Sequence, residues 1–230
     1  MFDIKKNCKQ ILQQNNCLMW NLLTYRKKVR QLLSRNVLKI NNRGGCYKIK
    51  KMVRGANNCL VIGAGSFLNN VSIHIIGKDN VIEFGERVRI GKNCRFWIEG
   101  NHCKIIVDDN TTFTQKVHFN VQEDNSEIVC GKDCMFSNMI IVRTSDSHAI
   151  WDMKTQKRIN PAKNVNIGDH VWIAPNSTIM KGVTIGSNTI IGSHTLVTKS
   201  IPDSVLAVGM PAKVIKENIT WSREDIIFNK

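Results

Sequence analysis

Between residues 167 and 199 an aliphatic side chain returns at every sixth position: Ile167, Ile173, Ile179, Ile185, Ile191 and Val197. A helix repeats its apolar face every 3.6 residues and a strand every second residue, and a lone strand rarely exceeds ten residues. A second aliphatic or small residue stands two places before each apolar one, at Val171, Ser177, Val183, Thr189 and Thr195. Two inward positions in every six, with Gly, Asn, Asp or Ser between them, describe a short strand followed by a bend. Gly168, Asn176, Asn188 and Gly192 suit left-handed or tight backbone at those bends. Three such sides close a triangular coil, and stacked coils lie ~4.8 Å apart, as neighbouring strands do. The spacing therefore predicts an all-β solenoid, a parallel β-helix.

The same step occurs upstream. Phe84, Ile90 and Phe96 keep it, preceded by Ile82, Val88 and Cys94; Cys130, Phe136 and Val142 keep it again, preceded by Ile128, Cys134 and Ile140. The solenoid is expected over 57–216, with degraded repeats near 99–126 and a tail at 217–230. One break is informative. Stepping by six from Val142 reaches His148, but from there to Ile167 the count is no longer a multiple of six. A solenoid accepts an insertion at a corner, so residues 149–166 are expected to project as a loop.

Charge separates the N-terminal segment from the repeat. Of the formal +15, residues 1–55 contribute +13, with 14 Lys and Arg against one acid, Asp3. Leu18, Leu22, Tyr25, Val29 and Leu32 step by four and three, which predicts a basic amphipathic helix within a segment 1–56, with "NNRGG" at 41–45 as a hinge. Such a helix either packs on the main domain or rests on an anionic bilayer; no nucleic-acid module accompanies the charge. The eight cysteines show no CxxC spacing, and neither a secretion signal nor a membrane-spanning run is present, so reduced thiols in a cytoplasmic protein are expected.

The run "IGDHVWIAPNSTIMKGVTIGSNTIIGSHTLVTKSIPDSVLAVGMPAKVIK" resembles the left-handed β-helix hexapeptide acyltransferases. The nearest branch holds the galactoside, maltose and capsular-polysaccharide O-acetyltransferases. The resemblance implies left-handed winding, a homotrimer, acetyl-CoA as co-substrate without a metal, and a hydroxyl of a surface polysaccharide or its precursor as acceptor. Acetyl transfer from a thioester to an alcohol needs a base, donors for the developing oxyanion and a slot for the pantetheine arm. His148, in "TSDSHAI", stands where the coil gives way to the loop. It precedes Trp172 by 24 residues, the catalytic His-to-Trp spacing of the resembled enzymes. It is the implied general base, and Asp146 either orients its ring or shapes the turn.

Trp172 is implied to line the active site beside the thioester, with packing alone as the rival reading. Ala174 replaces the glycine of the family's "VWIG", where backbone amides face the pantetheine, and is the implied oxyanion donor region. Ser193 lies one turn further along that groove; Thr198 and Lys199 match a "VTK" that meets the nucleotide phosphates, and Lys213 lies near the same end. Met210 stands where the family often has Asn. For the acceptor, His118 and Asn120 in "VHFN" faintly match a sugar-binding "NFN", and Trp151, Lys157 and Arg158 of the loop are candidates for a sugar platform. His170 and His194 occupy turn slots and are expected to be solvated. No nucleophile adjoins His148, so direct transfer in a ternary complex is favoured over a covalent intermediate.

Rival readings remain. A zinc enzyme of the γ-carbonic anhydrase kind requires a His-x4-His pair, which the six histidines do not supply. An amino-sugar N-acetyltransferase uses the same base, a drug-modifying acetyltransferase shares the scaffold, and a solenoid without catalysis is the alternative of another class.

Overall fold

The computed structural model describes residues 38–224, all in strands, turns and bends. The strands assemble into three sheets. One has seven strands from Leu38–Asn42 to Thr184–Ile185, and a second has nine, from Gly45–Tyr47 through Val205–Val208 to Lys213–Glu217. A third has seven, from Lys50–Ala56 to Leu196–Val197. Successive strands visit the first, second and third sheet in turn, and each pairs in parallel with the strand one coil away. The chain is thus a parallel β-solenoid of triangular section. Among the described strands only the final pairing, Val205–Val208 with Lys213–Glu217, is antiparallel.

All six residues of the opening series lie inside, as do the five that precede them by two. The hydroxyls among the inward residues are satisfied by corner carbonyls: Ser177 Oγ donates to the carbonyls of Ala174 and Gly192 at 3.0 and 2.9 Å. Every sixth residue just before an inward pair adopts a positive φ, at His170, Asn176, Gly182, Asn188 and His194. Asn and His tolerate this region better than most residues. Gly168 serves differently: its φ is ordinary, but a Cβ there would stand 2.7 Å from Ser187 Oγ and 2.8 Å from Ser187 N. Close stacking of coils, not a left-handed bend, requires glycine at that corner.

The irregular stretch near 99–126 has a geometric cause. After the loop the coils advance 18 residues per turn and the last one 16, whereas before it the first described coil advances 20 and the following ones 22 or 23. The extra residues lengthen the third side, whose strands Ser72–Lys78 and Arg95–Glu99 contrast with the two-residue Thr178–Ile179. The wider section holds Phe84, Phe96, Phe113, Phe119 and Phe136 in edge-to-face and stacked contacts, with Phe113 and Phe136 centroids 4.5 Å apart. Between Glu127 and Asn164 the advance is 37 residues, and the surplus is the inserted loop.

Strands already occupy 38–56, so the helical character expected for 1–56 gives way to sheet at Leu38. Lys50–Ala56 pairs over seven residues with Ser72–Lys78, and this ladder satisfies its backbone. "NNRGG" is a corner of the first described coil rather than a hinge, with Asn42 Oδ1 accepting the Gly44 N–H at 2.9 Å. The stripe from Leu18 to Leu32 lies outside the described residues. The six described cysteines are free thiols. Burial pushes Cys94 up to about 11 and Cys130 well above the usual thiol value, so both are inert core residues.

Candidate active site

His148 stands at the corner where the third sheet hands over to the first, just beyond Ile141–Arg143. Its imidazole side is exposed, but the backbone beneath it is fixed. Arg143 donates from Nε to the Ser145 carbonyl at 2.7 Å and from a terminal nitrogen to Ser147 Oγ at 3.2 Å. Ser147, at φ +68°, donates to Gln122 Oε1, and Ser145 donates to Glu123 Oε1. Asn160 Nδ2 donates both to the His148 carbonyl at 2.9 Å and to Asp146 Oδ2 at 2.8 Å, while its Oδ1 accepts the Ile150 N–H. Asp146 therefore does not orient the ring. Its carboxylate meets Lys181 Nζ at 2.6 Å, and these hydrogen bonds, from Lys181 first and Asn160 second, hold its pKa below the ordinary value. A cleft of about 430 Å³ opens beside this segment, lined by Glu99, Gln122, Glu123, Ser147, Ala149 and Arg158 among others.

The inserted loop is an arm folded on itself. Ile159 N–H reaches the Ile150 carbonyl, Trp151 bridges Arg158 in antiparallel fashion, and Asp152 Oδ1 caps the turn at Lys154 and Thr155. Arg158 lines the cleft but is held by the protein as well: it makes a two-pronged pair with Glu123, both contacts at 2.7 Å, and also meets Asn160. The Arg158 hydrogen bonds hold the Glu123 carboxyl down at about 2. Trp151 is 57% exposed at the edge of an apolar surface with Ile150, Met153 and Ile159.

The other candidates fall into two groups. Thr198 and Lys199 are exposed at the same edge of the prism as His148, one coil beyond Lys181. Trp172 lies on the outer face of the second sheet, and Ala174 and Ser193 lie at its far corner, with Lys213 on the terminal strand of that sheet. The Ala174 N–H donates to the Ile191 carbonyl at 2.8 Å, part of the stacking of coils, so this amide is not available to an oxyanion, and Pro175 carries none. Among the described residues no ion pair engages Lys199 or Lys213. Face and opposite edge keep Trp172 and His148 on different sides of one chain.

His118 and Asn120 lie on the outer face of the third sheet, level with Arg95 and Trp97 of the preceding coil. Burial and then Arg95 push the His118 pKa down. Asn120 is in register with Arg143, and so sits one side chain away from the pinned corner. His170, expected to be solvated, is engaged at both ring nitrogens, by Asp133 Oδ2 at 2.7 Å and the Trp221 carbonyl at 2.8 Å. His194 is exposed, 3.2 Å from Asn176 Nδ2. The supports Glu123, Asn160, Lys181 and Trp221 had no signal in the repeat, because the contacts by which they hold the site span 10 or more residues of chain.

The family pattern of bacterial transferase hexapeptides, six repeats, matches residues 164–199. A polysialic acid O-acetyltransferase of Neisseria meningitidis is 34% identical over 192 residues, which cover 74% of this chain and 88% of that protein. Another from Escherichia coli O1:K1 is 46% identical over 143 residues, covering 60% of this chain but only 45% of that longer protein. Among solved structures, the polysialic acid O-acetyltransferase OatWY superposes with a TM-score of 0.76 at 29% identity, covering 84% of this chain and 90% of its own. NeuO, a polysialic acid-specific acetyltransferase, gives 0.57 at 32% identity, covering 83% and 91%. With a relative matched over nearly its whole length and the solenoid shared throughout, the chain belongs to the hexapeptide-repeat O-acetyltransferase family that includes the polysialic acid O-acetyltransferases.

Proposed function

We propose that the protein transfers an acetyl group from acetyl-CoA to a hydroxyl of an acidic capsular polysaccharide, of the polysialic acid kind, or of its precursor. The observation that carries this reading is His148: an exposed imidazole on a corner whose backbone is held by Asn160, beside a 430 Å³ cleft. The acceptor class follows from the relatives named above, and the identity of the acyl donor from the family. Two unpaired lysines, Lys199 and Lys213, supply the charge that a CoA nucleotide requires.

In the proposed reaction His148 accepts the hydroxyl proton as the oxygen attacks the thioester carbonyl. The tetrahedral intermediate collapses with breakage of the C–S bond, and the imidazolium returns its proton to the CoA sulfur. Donor and acceptor occupy the site together, since the nearby hydroxyls of Ser145 and Ser147 are engaged with Glu123 and Gln122 rather than paired with the imidazole. Since His148 and Trp172 sit on different sides of one prism, a cleft that uses both is built between copies, and a closed trimer supplies three such clefts. The exposed apolar arm supports this, offering Trp151, Met153 and Ile159 to a neighbour.

The acceptor is tested by following CoA thiol release with polysialic acid, neutral capsular polymers and free sugars. Release with polysialic acid that disappears in His148→Ala is the expected result; release with none of the acidic glycans would defeat the substrate reading. We place the enzyme in the cytoplasm, with the basic residues 1–55 drawing it to anionic lipid or acidic glycan. Among the described residues no helix is long and apolar enough to cross a membrane. Flotation with anionic liposomes should weaken on removal of residues 1–37, which precede the first described strand Leu38–Asn42, and equal flotation without them would remove that role.

A further inference from the structure

The segment after the last strand does not trail into solvent. Ile219 N–H joins the Ser204 carbonyl at 3.0 Å, and the chain then turns back across the outer face of the second sheet. Trp221, although outside the solenoid, is only 8% exposed. Its ring stacks on His170, centroids 4.2 Å apart and planes within 7°, and its Nε1–H donates to the His170 carbonyl at 2.7 Å. His170 Nε2 lies 2.8 Å from the Trp221 carbonyl, and its Nδ1 lies 2.7 Å from Asp133 Oδ2.

Arg223 completes the latch. It donates from Nε to Asp133 Oδ1 at 2.7 Å and from its terminal nitrogens to Thr112 Oγ1 and to the Asp133 and Cys134 carbonyls, with its guanidinium 5.3 Å from the Trp221 ring. Burial opposes the Asp133 carboxylate, but the bonds from Arg223 and His170 outweigh it and hold its pKa below the usual value. So many directed contacts on one short segment define its position closely.

What the strap covers is Trp172. The two indoles lie 6.1 Å apart at 51°, within the range of favourable aromatic pairs. The other polar contact of Trp172, Nε1 to Ser137 Oγ, is 3.5 Å long and restrains it little. We infer that Trp221 is a positioning residue: the C-terminal strap, latched through His170, Asp133 and Arg223, sets the orientation of the Trp172 indole in the acetyl-transfer cleft. The inference rests on the reading of Trp172 as a wall of that cleft. It assigns part of the active site to the tail beyond residue 217.

The test is a double-mutant cycle on the full-length enzyme with steady-state kinetics for both substrates. Trp172→Ala is expected to lose roughly ten-fold in kcat or in KM, and Trp221→Ala to lose about three- to ten-fold in the same parameter. The double variant is expected to be no worse than Trp172→Ala, and Trp221→Phe, which keeps a ring over His170, to recover most of the loss. Wild-type kinetics for Trp221→Ala beside an impaired Trp172→Ala overturns the strap alone, and so do losses that multiply in the double variant. Wild-type kinetics for Trp172→Ala overturns both this inference and the site reading beneath it. Should Trp221→Ala not fold, Arg223→Ala takes its place in the same cycle, since it keeps the ring and removes the tie to Asp133.

Discussion

Six side chains hold the peptide from Ser145 to His148, each through bonds that do not involve the imidazole: Arg143, Gln122, Glu123, Asn160, Lys181 and the Ser145 hydroxyl itself. A base fixed through its backbone keeps its ring accessible and its reach constant, which is what proton transfer to a bound hydroxyl requires. Replacing His148 by Ala should lower kcat by a factor on the order of 100 or more while CoA binding persists; unaltered turnover would remove it as the base. Asn160→Ala leaves the imidazole in place but removes one hydrogen bond each from its carbonyl, from Asp146 and from the Ile150 amide. Its expected loss in kcat is smaller, roughly ten-fold, and a loss as great as that of His148→Ala would mean the corner itself had collapsed. His148 could be nominated from the sequence because the resembled enzymes set their histidine 24 residues before the tryptophan, a count along the chain. Asn160 and Lys181 could not, since they reach Asp146 from 14 and 35 residues away, and no periodicity records such a meeting.

The arm illustrates both sides of reading an element from its pattern. The failure of the six-residue step after His148 located the insertion, yet it held no sign that Arg158 would be bound to Glu123. An arginine in a loop is an open choice until the fold brings a carboxylate to it. That pair gives the arm a pH dependence with a definite sign. The Glu123 carboxyl titrates near 2 in the folded chain, below an ordinary value of 4.5. Its contribution is therefore fully present above about 4.5 and is lost as pH falls toward about 2. The thermal midpoint of the wild type should exceed that of Arg158→Ala at neutral pH, and the gap should close over that acid range. A gap that persists at pH 2 would show that Arg158 acts through Asn160 rather than through the ion pair. The wide coils make a similar point about pattern: 22 or 23 residues per turn still stack in register, but the extra length on the third side hides the step of six that the narrow coils display.

For the whole molecule, the decisive geometry is that a three-sided prism has an edge opposite each face. The coil that carries Trp172 outward on the second sheet cannot also bring its own His148 to it, because that residue leaves from the junction of the third and first sheets. The proposal then makes a demand on assembly that a single chain cannot meet: His148 of one copy must face Trp172 of another. Light scattering should give a trimer, and an active monomer would end the shared-cleft reading. Complementation is the sharper measurement. His148→Ala chains retain Trp172, and Trp172→Ala chains retain His148, so each homotrimer lacks one partner at every cleft. When the two are co-expressed, a cleft is intact wherever an unaltered His148 adjoins an unaltered Trp172, about a quarter of clefts for equal random mixing in a closed ring. Activity should rise toward that fraction of wild type, whereas mixed trimers no more active than their parents would mean that one chain supplies both residues, or that only one of them belongs to the site.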